Sequence, residues 1–172
     1  MFHLSHIAPD QAEGKVKEAY SVFPDSVPVP DPLQLMSASP DLVKLQSEII
    51  RHYMTQERLD LGLLSSIRYL AATRHEYAYC RNFNAQLLQM AGGLSEEELQ
   101  AMAADPDKAP LEEEQKALLG FVLKVVTEPE SVDAGDVEKL KSMGWTEKDI
   151  FEAAYHGASM VSAGILYKAF AK

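Results

Sequence analysis

One cysteine, Cys80, is all that 172 residues contain. No intrachain disulfide can form. That excludes the disulfide-stapled extracellular folds and points to the cytoplasm. Long apolar runs are missing too. The stretches around 117–126 and 158–166 are too short or too interrupted to cross a membrane, so no membrane partner is expected. The opening residues, Met1-Phe2-His3-Leu4-Ser5-His6, lack a basic segment followed by an apolar one, so no secretory signal is read there. Positive charge is scarce: 16 Lys and Arg stand against 26 Asp and Glu, a net charge of −10. The basic residues are also dispersed, which argues against a nucleic-acid partner.

Several chemical motifs are absent as well. There is no Walker loop, no GxGxxG, no GxSxG elbow, no HExxH and no Cys/His pair at ligand spacing. No cofactor and no metal are expected. His3 and His6 form the only close histidine pair, near a terminus. The acid runs 96–98 and 112–114 suit helix starts, where the dipole favours negative charge.

What is present reads as helices parted by short breaks. Asp10 and Glu13 suggest a cap ahead of an amphipathic stretch to about Phe23. Pro24–Pro32 holds four prolines in nine residues and is expected to be an extended arm, wrapping its own domain or reaching a neighbouring subunit. Ser39-Pro40-Asp41 starts a helix to about Met54. Another spans about 59–73, with Leu63, Ile67 and Leu70 at apolar spacing. Thr73 and Glu76 then suggest a capping box for a helix that ends at Gly92-Gly93. On this reading Cys80 lies beyond the first turn, where the dipole helps a thiolate little. Ser95 restarts a short helix, 105–110 is a loop, and 111–127 and 133–143 are helices. Thr146 and Asp149 cap the last and longest helix, rich in small residues that let helices approach closely. Strand-like alternation is absent, so the class is all-α.

The segment from Leu59 to the C-terminus resembles the peroxidase-related branch of the AhpD-like alkylhydroperoxidase/carboxymuconolactone decarboxylase family. There an apolar helix leads into Cys-x-x-Cys-x-x-x-His, then a glycine and a Leu-Ser-Glu-Glu-Glu-Leu step. Here the text runs Tyr77-Ala78-Tyr79-Cys80-Arg81-Asn82-Phe83-Asn84, then Gly93-Leu94-Ser95-Glu96-Glu97-Glu98-Leu99. The resemblance implies an AhpD-like helical bundle: a single domain over 1–172, with leader helices and the proline arm in 1–55 and the core in 56–172. It also implies a homo-oligomer, with which the proline arm and the small-residue last helix agree.

In that family two cysteines cycle between dithiol and disulfide while reducing a hydroperoxide, assisted by the histidine and by a glutamate twelve residues before the first cysteine. This sequence has Tyr77 at the first cysteine, Asn84 at the histidine and Ser65 at the glutamate; Cys80 alone remains. A lone thiol cannot close an intramolecular disulfide. Three readings follow. One is a one-cysteine hydroperoxide reductase, a peroxidase-type oxidoreductase using Cys80 and an external thiol reductant. Another is a cofactorless lyase or isomerase, with a small-molecule substrate in a pocket of Tyr77, Cys80, Asn84 and His156. The third is a non-catalytic, oligomeric ligand-binding protein.

The bland reading stands beside each residue. Cys80 on a core stripe is commonly inert packing. Tyr77 and Asn84 suit a mutual hydrogen bond. His75 suits a solvated turn, and His156 suits a satisfied core histidine.

Overall fold

The computed structural model describes residues 2–172. Among them are nine α-helices, three short 3-10 turns and no strand; the only β feature is one antiparallel bridge between Phe2 and Ala171. The all-α class is therefore the observed one. The chain divides into two compact units: the residues up to Glu57 together with Ala163–Lys172, and Arg58–Ser162.

The first unit holds α1 (Gly14–Tyr20), α2 (Asp31–Met36) and α3 (Pro40–Met54). Its core joins Val16, Ala19, Tyr20, Leu33 and Val43, with Phe23, Val29 and Ile50 packed at the margin. The proline segment thus packs onto its own unit through Val29. It is also shorter than the sequence suggests: Pro30 is the N-cap of α2 and Pro32 lies in its first turn. Proline is tolerated there because the first N–H groups of a helix have no intrahelical partner anyway. The expected helix from Asp10 is likewise broken. Pro9–Gln11 is a 3-10 turn, and α1 begins only after Glu13, which makes no side-chain cap.

The second unit holds α4 (Leu61–Arg74), α5 (Ala78–Gly92), α6 (Glu96–Ala104), α7 (Glu113–Thr127), α8 (Ala134–Ser142) and the first part of α9 (Glu147–Phe170). α4 is buried on nearly every side, Leu63, Ile67 and Leu70 completely, as is typical of a helix at the centre of a core. Leu118, Leu119 and Val122 of α7 are equally buried. α4 starts later than the sequence suggests, because Asp60 is its N-cap and accepts from Leu63 N at 2.9 Å. The Ser95 cap follows the sequence: Ser95 and Glu98 form a reciprocal box. Thr146 and Asp149 form another, with Thr146 Oγ1 donating to Asp149 Oδ2 at 2.7 Å.

The joint between α4 and α5 departs from the sequence reading. Thr73 lies inside α4, its hydroxyl donating to Tyr69 O at 2.8 Å, and caps nothing. α4 ends instead in a Schellman motif. Tyr77 N donates to Ala72 O at 2.9 Å and Glu76 N to Thr73 O at 3.2 Å. Glu76 takes the left-handed position, φ 56°, usually held by glycine. α5 follows at once, with Tyr77 as its N-cap and no side-chain cap.

Candidate functional site

This joint sets the position of Cys80. With α5 starting at Ala78, Cys80 is the third residue of the helix, inside the first turn, not beyond it. The first α5 bond within reach is Arg81 N to Tyr77 O at 2.9 Å, so the Cys80 N–H lies among the unpaired donors that ring a helix start. The thiol is 3 % exposed and free. Burial pushes its pKa up. The Arg68 guanidinium and the residue's own backbone N–H pull it down, and burial prevails: the net direction is upward. Cys80 is therefore a protonated thiol near neutral pH.

Asn84 is one turn on, 2 % exposed. Its Nδ2 donates to the Cys80 carbonyl at 2.7 Å, while Oδ1 is buried without a hydrogen-bond partner. The amide thus bonds its own helix rather than Tyr77. Tyr77 is the N-cap, with non-helical backbone (φ −89°, ψ 82°), so helical spacing does not carry it onto the Cys80 face. Its half-buried ring stacks on His75 instead, centroids 5.7 Å apart and planes 13° apart. His75 is no solvated residue: its Nε2 lies 3.0 Å from Val126 O, tying the joint to the end of α7.

His156, on α9, is buried and pushed down to about 3. Burial is the main cause, the Arg68 charge adds to it, and a hydrogen bond to the Leu64 backbone opposes it. It is neutral at any physiological pH. The adjoining Gly157 makes this burial possible, since a Cβ there would stand 2.4 Å from Val122 Cγ1 and 3.4 Å from Ile67 Cγ2. α9 lies close against α4 and α7 only because that atom is missing.

Arg68 is the residue sequence reasoning missed. Its charge acts on both Cys80 and His156. It lies three residues after Ser65 on α4, hence on the same helix face. That spacing is the signal that was available. Ser65 itself is buried and opens on a cavity of about 200 Å³ beside Ser66, Leu87, Leu88, Leu94 and Pro110. Cys80, Tyr77, Asn84 and His156 do not line it. The structure therefore sets Cys80 and His156 under the charge of Arg68 on α4, ties Asn84 to the Cys80 carbonyl, gives Ser65 a separate cavity, and turns Tyr77 toward His75. Among the described residues no three His, Cys, Asp or Glu side chains converge as a metal ion requires, and no helix is long and apolar enough to cross a membrane.

No protein-family model matches the chain, and no curated protein matches it. Solved structures do. An uncharacterized peroxidase-related protein from Ralstonia eutropha JMP134, described as an alkylhydroperoxidase AhpD core, superposes with a TM-score of 0.81 at 18% identity. The match covers 98% of this chain and 90% of that one. An uncharacterized peroxidase-related protein from Silicibacter sp. TM1040 gives 0.74 at 16% identity, covering 90% and 82%. On these likenesses the chain has the AhpD-like, all-helical fold.

Proposed function

We propose that this chain is a member of the AhpD-like alkylhydroperoxidase/carboxymuconolactone decarboxylase family that has lost the dithiol cycle and binds a small, mainly apolar molecule. The observation that carries this reading is the state of Cys80. The thiolate is the nucleophile in any peroxidase step, and burial outweighs both groups that would stabilise it. With Tyr77 at the first cysteine position, nothing in the chain can resolve an oxidised Cys80. His156, pushed down to about 3, is a weak base near neutral pH, which tells against the lyase or isomerase alternative. The cavity beside Ser65 is the binding place. At about 200 Å³ it falls below the roughly 300–1,000 Å³ of sites for drug-sized ligands. Its walls are leucines with two serine hydroxyls.

A second reading has its own observation. Arg68 and the first turn of α5 both favour a Cys80 thiolate, which suits slow one-cysteine hydroperoxide reduction. The thiolate attacks the terminal peroxide oxygen, the O–O bond breaks, and the alkoxide takes a proton and leaves as alcohol. Sulfur is oxidised to sulfenic acid, and two equivalents of an external thiol reduce it with loss of water.

One experiment separates the two. The native protein is treated with cumene hydroperoxide and its intact mass followed, while thermal shifts are read against a panel of small apolar alcohols, acids and aromatics. Unchanged mass, with a shift for some compounds that Leu88→Trp abolishes by filling the cavity, supports the binding reading. Gain of one oxygen within minutes, reversed by thiol, replaces it with the second.

A further inference from the structure

Among the described residues four serines are buried: Ser37, Ser47, Ser65 and Ser66. Two of them pair as buried hydroxyls ordinarily do. Ser37 Oγ donates to Gln34 O at 2.6 Å and Ser47 Oγ to Lys44 O at 2.7 Å. Other helical hydroxyls behave alike: Thr73, Thr127 and Ser159 donate to the carbonyl four residues back at 2.8, 2.9 and 2.7 Å. Ser65 and Ser66, 4% and 1% exposed, are different. Neither hydroxyl has a hydrogen-bond partner among the described residues, and both line the cavity of about 200 Å³. A buried donor left unpaired is costly, so its partner comes from outside the chain. One water molecule could bridge the pair but would leave most of the cavity unfilled, since a water occupies only about 30 Å³.

The rest of the wall says what fits. Beside the serines it is leucine, glycine, alanine and Pro110, with no ionisable side chain. A carboxylate stands behind it: a Cβ on Gly62 would lie 3.3 Å from Asp60 Oδ1. That carboxylate is already engaged, accepting from Leu63 N at 2.9 Å and from Gln115 Nε2 at 2.8 Å. An anion would meet this negative charge and no cation, and an ammonium ion would find no free carboxylate. A buried charge without a partner is expensive, so the ligand is neutral. Its polar end follows from the hydroxyls, which offer one donor each. A carbonyl oxygen has two lone pairs and no hydrogen, so it takes both donors and brings none of its own. An alcohol that accepts from both still has its O–H to place against an apolar wall. Its size follows from the volume: a dry apolar cavity of about 150 Å³ holds benzene, and about 200 Å³ admits a ring with a short substituent.

We infer, on the reading of this cavity as the binding place, that it takes a small neutral carbonyl compound, whose oxygen accepts from Ser65 and Ser66 and whose hydrocarbon part lies against the leucines. Calorimetric titration of the whole protein with four compounds of similar shape tests this: acetophenone, 1-phenylethanol, ethylbenzene and benzoate. Acetophenone should bind about ten-fold more tightly than ethylbenzene, the effect of one or two neutral hydrogen bonds. 1-Phenylethanol should fall between them, and benzoate should not bind at pH 7. Ser65→Ala and Ser66→Ala should each cut the preference for acetophenone several-fold while ethylbenzene binds as before. Neither variant should lose stability in urea without ligand, because the hydroxyl removed has no partner within the chain. A lowered midpoint would reveal such a partner and overturn the inference. Equal affinity for acetophenone and ethylbenzene, or tighter binding of 1-phenylethanol or benzoate, overturns it and leaves the cavity a binding place. Failure of all four to bind overturns it too, and if the wider panel of apolar alcohols, acids and aromatics also fails, the binding reading falls with it.

Discussion

At the scale of single residues, three influences compete on one sulfur atom. Burial raises the Cys80 pKa, while Arg68 and the local backbone N–H lower it by less. Alkylation by iodoacetamide, which reports the thiolate, should therefore show a pH midpoint above that of N-acetylcysteine measured alongside. Arg68→Met removes the main opposing charge and should move the midpoint further up and slow alkylation several-fold at pH 8. A midpoint that drops in the variant would mean Arg68 acts on the thiol through packing and not through charge. The sequence made Cys80, Asn84 and His156 visible as chemistry-bearing types. It did not make Arg68 visible, because its importance depends on groups from α5 and from the distant α9 both feeling one guanidinium on α4.

At the scale of the element, the α4–α5 joint shows what pattern reading loses. A Thr-x-x-Glu pattern suits a helix start as well as it suits this helix end. With no glycine at the turn, nothing marked Glu76 as a left-handed terminator. A non-glycine residue there carries about 1 kcal/mol of steric cost, so Glu76→Gly should stabilise the protein by up to about that amount in urea unfolding, with the m-value unchanged. Cys80 moved into the first turn for the same reason: the joint is shorter than assumed.

The helix α2 was hidden similarly, because prolines that forbid a helix interior are compatible with its first turn. Where the expected caps carry oxygen side chains, at Ser95 and Thr146, sequence and structure agree, since those groups satisfy donors that any helix start leaves open. Gly157 was legible as a small residue but not as a contact. Gly157→Ala drives a methyl group into Val122 and should cost about 1–3 kcal/mol, the usual range for overpacking. The double variant with Val122→Ala should recover part of that loss. Strictly additive losses would show that the close approach at Val122 is not what requires glycine.

At the scale of the whole molecule, these placements converge on its response to acid. His156 is neutral and pushed down to about 3 in the folded protein, whereas an unfolded histidine titrates near 6.5. Below pH 6.5 the unfolded chain takes up a proton that the folded chain refuses. Stability from this group is therefore complete above about pH 6.5 and falls as pH drops, by on the order of 3 kcal/mol at pH 4.

Asp149 then adds to the loss. Burial raises its carboxyl pKa, but hydrogen bonds from Thr146 and the charge of Arg58, whose Nη1 donates at 2.6 Å, bring it below its ordinary value. A carboxylate so held stabilises the fold above its unfolded pKa, near 4, and ceases to do so as pH falls through its folded value. Arg58 also donates to Gly144 O at 2.7 Å and lies 4.7 Å from the Trp145 ring centroid, so losing the Asp149 charge frees the beginning of the second unit from the start of α9. Urea unfolding from pH 3.5 to 8 should thus show two successive declines, the first beginning near 6.5. His156→Gln should flatten the decline between about 6.5 and 4 while leaving the lower one. Asp149→Asn should lower stability at neutral pH and weaken the dependence below about 4. An unchanged slope between pH 6.5 and 4 in His156→Gln would mean that another group takes up the proton, and that His156 is not the histidine whose burial links the fold to acid.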